Sequence, residues 1–429
     1  MTHVEHHPVT THAAEHAQPF ADAIGMLGSG PLTHAALRTH IDPLFSRVLQ
    51  RDEVYLANHS LGRPPDRMAE DVRLALDLWY TDMDAAWEGW LEEQSLYRAN
   101  MARLIGCANA DAVVPKTSAG QGLRAVLNAL PAAKPVVVTT RAEFDSIDFI
   151  LKTYAAKGLI ELRWVDGDAE GRVDGSRVAE AVTADVDLVV LSQVVFVTGQ
   201  IVPGVDAVVS AARSHGAVVV LDTYHSAGVI DVGFDRLGVD FAIGGNYKYT
   251  RGGPGACWLA IHDRHLHEPR TPTSGEVAPI DTGWFAKVEP LGFDRSEAPI
   301  LAGGGDGWLE ATPPILTYYQ AKSGLAFALT LGVDRTRVYN QRQQAMLAGA
   351  LRGAGVEPRL FEPRGAFLLV EHADAPGLSA ELARRGVKTD ARRCNVTGRG
   401  FVRFCPDVLT TDEEIERASV IVGDAARAV

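Results

Sequence analysis

The sequence predicts an α/β protein: a large domain with a mainly parallel sheet between helices, followed by a smaller C-terminal α/β domain. Three observations lead there. Between residues 136 and 261, short apolar runs alternate with stretches of helical length, as in strands joined by crossover helices. The runs are continuously apolar, which is how strands covered on both faces read. A chain of 429 residues also exceeds what one small core organises, so a second lobe is expected. The expected boundaries are 1–50 for an N-terminal arm and helix, 51–313 for the large domain and 314–429 for the small one.

Composition narrows the function classes. Hydrophobic residues make up 46% and charged residues 22%, ordinary values for a soluble globular chain. A net charge of −13 argues against a nucleic-acid partner or an anionic membrane surface, both of which need a basic face. No apolar run approaches the ~18 residues of a membrane span, and the first residues lack the apolar stretch of a secretory signal. Cys107, Cys257, Cys394 and Cys405 show no CxxC spacing, so neither a metal site nor a disulfide framework is expected. A cytoplasmic protein with free thiols fits best.

Taken in order, His3, His6, His7, His12 and His16 lie in a stretch expected to be a disordered, solvated arm. Apolar spacing predicts a helix over 31–50, a short strand at 55–57 entering a Gly/Pro turn, and a helix over 67–80. Trp79, Trp87 and Trp90 are expected to serve packing. A helix over 91–105 should stop at Gly106. Strand 113–115 then meets Thr117 and Ser118 at the start of another helix, a ready anion site of hydroxyls and free N–H groups. Strands follow at 136–140, 160–165, 188–192, 218–222, 241–243 and 256–261, with helices between most of them. Residues 271–314 read as a long irregular connection, of the kind that usually carries function or an interface. The last region alternates helix and strand, and Thr411 is the expected N-cap of the final helix.

The chemistry centres on residues 218–258. A buried strand ends on Asp222, His225 follows three residues later, and Lys248 lies 26 residues on in a glycine-flanked turn. A carboxylate and an amine at neighbouring strand ends suit a pyridine aldehyde, the acid for the ring nitrogen and the amine for the aldehyde. The site is therefore expected to hold pyridoxal 5'-phosphate (PLP). Burial would lower the pKa of Lys248, and Schiff-base chemistry needs the neutral amine.

These residues carry a family resemblance. The segment LDxxH…GVDFxxGxxYKYxxGGPG resembles the class V aminotransferase group of fold-type-I PLP enzymes, and within it is most similar to the kynureninases. Further segments extend the likeness along most of the chain. Residues 58–62 resemble an N-S-L-G turn with one residue inserted, and 196–200 match F-x-T-G-Q. Residues 283–285 match G-W-F, 312–316 match a T/N-x-P-I segment, and Gly386, Val387, Asp390 and Arg392 resemble G-V-x-x-D-x-R. The resemblance implies that Lys248 forms the Schiff base and shuttles a proton, that Asp222 pairs with the ring nitrogen, and that His225 lies beside the ring. Thr117, Ser118 and Tyr247 would bind phosphate, and Phe144 would stack on the ring. Trp284 and Thr312 would complete the phosphate site from a partner subunit, making a homodimer. Arg403 would hold the substrate carboxylate, with Asn58 and Ser60 nearby.

The implied reaction is hydrolysis of the Cβ–Cγ bond of L-kynurenine or 3-hydroxykynurenine to an anthranilate and L-alanine. The alternatives are a cysteine desulfurase or C–S lyase, for which Cys394 is the candidate sulfur acceptor, and an aminotransferase or epimerase acting on another amino acid. Specificity is expected in 79–90, 271–314 and the last lobe, where the sequence departs most from the family pattern.

Overall fold

The structure is a computed structural model that describes residues 10–292, 295 and 297–428. After a two-residue strand, β1 (Val54–Tyr55), seven strands build the central sheet. They are β2 (Val113–Lys116), β3 (Val136–Thr140), β4 (Glu161–Val165), β5 (Leu188–Ser192), β6 (Val218–Asp222), β7 (Phe241–Gly245) and β8 (Cys257–Ile261). Their order is β2-β8-β7-β6-β5-β3-β4. The five strands from β7 to β4 run parallel, and β8 lies antiparallel to both its neighbours. The expected mainly parallel sheet is thus observed.

The β6 run shows why the sheet is stable. Val219 and Leu221 join the core on one face, while Val218 and Val220 join the core on the other. Each buried side chain of this size contributes about 1.5–3 kcal/mol. The register Ser192–Asp222–Ile243 brings the carboxyl ends of β5 and β6 level, with β7 running two residues further to Gly245, and ligands of such sheets bind at this edge.

The small lobe adds β9 (Pro358–Arg359), β10 (Leu368–Glu371), β11 (Val387–Lys388), β12 (Asp390–Arg393) and β13 (Gly400–Phe404). Four of them form an antiparallel sheet in the order β12-β13-β10-β9. Helix Asp412–Ala428 starts on the expected cap: the Glu414 amide donates to Thr411 Oγ1 at 3.0 Å, and the Thr411 amide donates to Glu414 Oε2 at 2.8 Å. Each of these bonds satisfies a helix-end donor, a capping box.

Three sequence expectations differ from the structure. The expected disordered arm falls partly outside the described residues, at 1–9, but Thr10–Gly25 is a helix. Phe20 and Ile24 bury themselves in a cluster with Phe327 and Leu331, which stabilises it. The helix expected over 31–50 is broken into His34–His40 and two short 3-10 turns. Pro43, without an N–H, cannot continue an α-helix there. The division at 51–313 and 314–429 is crossed twice. Strand β1 pairs with β11, and Val54 and Leu56 join the small lobe's core. Helix Ile315–Leu331 packs on helices Met68–Asp82 and Ala86–Ile105 of the large domain.

Candidate active site

Asp222 closes β6, and the turn after it carries Tyr224 and His225. Lys248 lies in the turn between β7 and β8. That turn is pinned by Asn246, whose Nδ2 donates to Tyr97 Oη at 2.9 Å and to Ala256 O at 3.0 Å, and by Thr250, whose hydroxyl donates to Asn246 O at 2.9 Å. The loop of residues 58–62 presses on the lysine from the other side. The Gly62 amide donates to Tyr247 O at 2.7 Å, and a Cβ at Gly62 would meet Lys248 O at 1.9 Å. Glycine is required there by close approach.

Three residues past the lysine, Arg251 adopts a φ of 58°. Its Nη2 donates to Asp407 Oδ2 at 2.6 Å and its Nη1 to Arg63 O at 3.2 Å. Arg63 also pairs with Asp407. Burial alone would raise the Asp407 carboxyl, but the two guanidiniums outweigh it and hold the pKa well below the carboxylate range. This buried triad staples the lysine turn to the small lobe.

The sequence-predicted core of the site is brought together. Lys248 Nζ lies 2.7 Å from His225 Nε2, 4.7 Å from the Tyr224 ring centre and 5.5 Å from that of Phe144. Burial lowers the Lys248 pKa to about 7, against an opposing pull from Asp222. Burial also holds His225 well below the ordinary histidine value, with Lys248 adding to the effect. Asp222 is raised by burial. Its Oδ1 accepts from the Tyr224 amide at 2.9 Å, and among the described residues no donor reaches Oδ2. A buried carboxylate with one open oxygen, a near-neutral amine and flanking aromatic rings form the donor set that a pyridine aldehyde requires.

The anion cradle is less simple. Thr117 and Ser118 are exposed at the start of helix Ala119–Ala129. The Thr117 amide and hydroxyl both donate to Gln121 Oε1, at 2.7 and 3.0 Å, and Ser118 Oγ caps the Gln121 amide at 3.0 Å. Gln121 in turn donates to Glu310, which also takes Lys116 Nζ at 2.8 Å. Tyr247 lies tilted against Tyr224, ring centres 4.9 Å apart. Trp284 and Thr312 meet each other, with Nε1 donating to Oγ1 at 3.3 Å. No contact joins that pair to Lys248 among the described residues, although Thr312 lies two residues from Glu310 at the cradle.

Arg403 is buried and already engaged. Its Nε donates to Asp390 Oδ1 at 2.8 Å, its Nη2 to Asp390 Oδ2, and its Nη1 to the Phe196 carbonyl. Asn58 Nδ2 donates to Cys405 O at 2.9 Å, while its Oδ1 is buried without a partner. Ser60 is half-buried in the same loop. Between them stands His59, fully buried, with Nε2 2.8 Å from Asp390 Oδ1. His59 and Asp390 were not among the candidates, although one is the inserted residue of the N-S-L-G turn and the other a fixed letter of the G-V-x-x-D-x-R segment. Glu143 was missed as well. It is buried between Thr140 Oγ1 and Ser192 Oγ at 2.6 and 2.5 Å, and burial raises its pKa to about 7. Cys394 is 3% exposed and packs in a cluster with Phe361 and Phe401, so it presents no thiol to solvent.

The profile of the family described as aminotransferase class-V matches residues 91–357. The chain belongs to this family. Among class-V relatives, it is 29% identical over 370 residues to a kynureninase of Deinococcus radiodurans, covering 82% of this chain and 86% of that protein. Among solved structures, it resembles a C-DES mutant with glycine covalently linked to its PLP cofactor. The TM-score is 0.77 at 20% identity, over 89% of this chain and 98% of that one. It also resembles a cysteine desulfurase of Escherichia coli, with a TM-score of 0.75 at 15% identity over 93% of this chain and 100% of that one. The two structural likenesses establish the fold-type-I α/β architecture, and in this class-V fold the lysine turn and the acid-ended strand are neighbours.

Proposed function

We propose that this chain is a PLP-dependent hydrolase that cleaves the Cβ–Cγ bond of L-kynurenine or 3-hydroxykynurenine. The single observation behind the cofactor reading is the buried Lys248, kept near neutrality beside His225 and Asp222. The substrate reading is supported by the 29% identity to a kynureninase over most of both chains.

When bound, PLP supplies an electron sink for carbanions at the substrate Cα. Lys248 holds the aldehyde and then takes and returns the Cα proton at Nζ. Asp222 keeps the ring nitrogen protonated, and Phe144 and His225 confine the ring. Thr117, Ser118 and Tyr247 would hold the phosphate, the Thr117 amide and hydroxyl that now donate to Gln121 Oε1 being the donors available to it. Arg403 takes the substrate carboxylate, and Asn58 and Ser60 contact the substrate beside it.

Trp284 and Thr312 act across a homodimer interface in this reading. Exposed Trp79, Tyr80 and Trp284 supply apolar surface for that interface. Among the described residues no helix is long and apolar enough to cross a membrane. The four cysteines are free and buried, which fits a cytoplasmic, reducing compartment. The same burial argues against desulfuration through Cys394, which needs an accessible thiolate. The test is product analysis: L-kynurenine should yield anthranilate and L-alanine in equal amounts, and L-cysteine should release no sulfide. Sulfide release without anthranilate would replace this reading with the C–S lyase.

A further inference from the structure

Asp390 on β12 is the direct register partner of Arg403 on β13. Its carboxylate joins two side chains from distant parts of the chain, Arg403 from the small-lobe sheet and His59 from the loop that presses on Lys248. A guanidinium has five N–H donors in a rigid fork. Three are spent, on Asp390 twice and on the Phe196 carbonyl once. One N–H remains on each terminal nitrogen, the pair that takes a planar carboxylate in two-point contact.

Phe367 lies against this group. Its ring lies 5.4 Å from the Arg403 guanidinium carbon, 4.8 Å from the His59 ring and 5.8 Å from the His225 ring. Arg403 therefore shares a wall with the Lys248–His225 pair. Burial, reinforced by Arg403, lowers the His59 pKa to about 4. A neutral His59 facing a carboxylate through Nε2 carries its proton on that nitrogen. Asp390 stays ionised because His59 and Arg403 together outweigh the effect of its burial.

We propose that Asp390 and His59 are positioning residues that hold Arg403 with its remaining two N–H groups presented to the α-carboxylate of an amino-acid substrate. This rests on the proposed role of Arg403 as carboxylate anchor. Asp390 also cancels most of the guanidinium's charge, so recognition depends on two-point geometry more than on attraction for any anion. His59, the residue inserted into the N-S-L-G turn, sets the position of Asp390 from the side of the lysine loop.

The test compares ligands with and without the carboxylate on the PLP-loaded enzyme. Spectral titrations with L-alanine and ethylamine, and with L-kynurenine and kynuramine, measure affinity for each member of a pair. Asp390→Asn should weaken L-alanine binding about tenfold or more while ethylamine binding and PLP affinity stay within about twofold. His59→Leu should shift the same ratio in the same direction. His59→Gln, which keeps a donor near the Nε2 position, should restore most of it, and this pair decides the matter should Asp390→Asn fail to fold. Equal weakening of both ligands, or none, would overturn the proposal. A wild-type enzyme that prefers L-alanine to ethylamine yet does not cleave L-kynurenine would refute the proposed reaction and leave this assignment standing.

Discussion

Lys248 Nζ and His225 Nε2, both buried, lie 2.7 Å apart, so two bases compete for protons where charge is poorly solvated. The consequence is an amine poised near neutrality, and its pH dependence is the first thing to measure. Burial lowers the Lys248 pKa from 10.5 to about 7. A lysine with a folded pKa below its unfolded value costs stability where the folded state must take up the proton. The cost is full below pH 7 and fades as pH rises towards 10.5. Apoenzyme melting temperature should therefore rise over that window, and Lys248→Met should flatten the rise. The rate of PLP capture should climb through pH 7 and then level off; a rate already level at pH 6 would contradict the shift.

Asp222 is the proposed partner of the ring nitrogen, with one carboxylate oxygen open. Asp222→Asn should still accept PLP but lower kcat on the order of 100-fold, the scale of losing one preorganised electrostatic contact. Steady-state kinetics beside a PLP titration separate the two effects.

The Arg63–Asp407–Arg251 staple holds the fold together around the lysine turn. Removing the shared acid leaves two buried guanidiniums without a counter-charge, and breaking a buried pair in this way costs about 3–5 kcal/mol. Asp407→Ala should lose that much in denaturant unfolding and should also release PLP faster, because Arg251 anchors the lysine turn. Unchanged PLP release would separate the staple from the turn.

Trp284 and Thr312 bond to each other and not to the Lys248 cluster within one chain. If they serve a partner's phosphate site, Trp284→Ala and Lys248→Ala variants are each inactive alone. Mixed after mild dissociation, they should recover up to about one quarter of wild-type activity, since a random mixture pairs one intact composite site per heterodimer. No recovery would place Trp284 outside the neighbouring site.

Much of the fold was legible because its strands are continuous apolar runs: 136–140, 188–192 and 218–222 coincide with β3, β5 and β6. Asp222, His225 and Lys248 were legible for a related reason, since chemistry at strand ends is tied to short spacing. Strand β12 was not, because Asp390–Arg393 carries three charged residues in four and no apolar run, and its pairing with β13 includes the Asp390–Arg403 ion pair. With it went the partnership of Asp390, Arg403 and His59, which joins residues more than 300 positions apart. The N-terminal helix was missed because its stability comes from Phe20 and Ile24 meeting Phe327 and Leu331, a contact no local pattern announces.

Lys248 is the residue proposed to carry the cofactor. Borohydride reduction of the PLP-loaded protein, followed by trypsin and mass spectrometry, tests it most directly. The prediction is a pyridoxyl label on the peptide 237–251, uncleaved at Lys248, and loss of the visible absorption band in Lys248→Ala. A label confined to another lysine, or a protein that stays colourless after PLP addition, would remove Lys248 from that role.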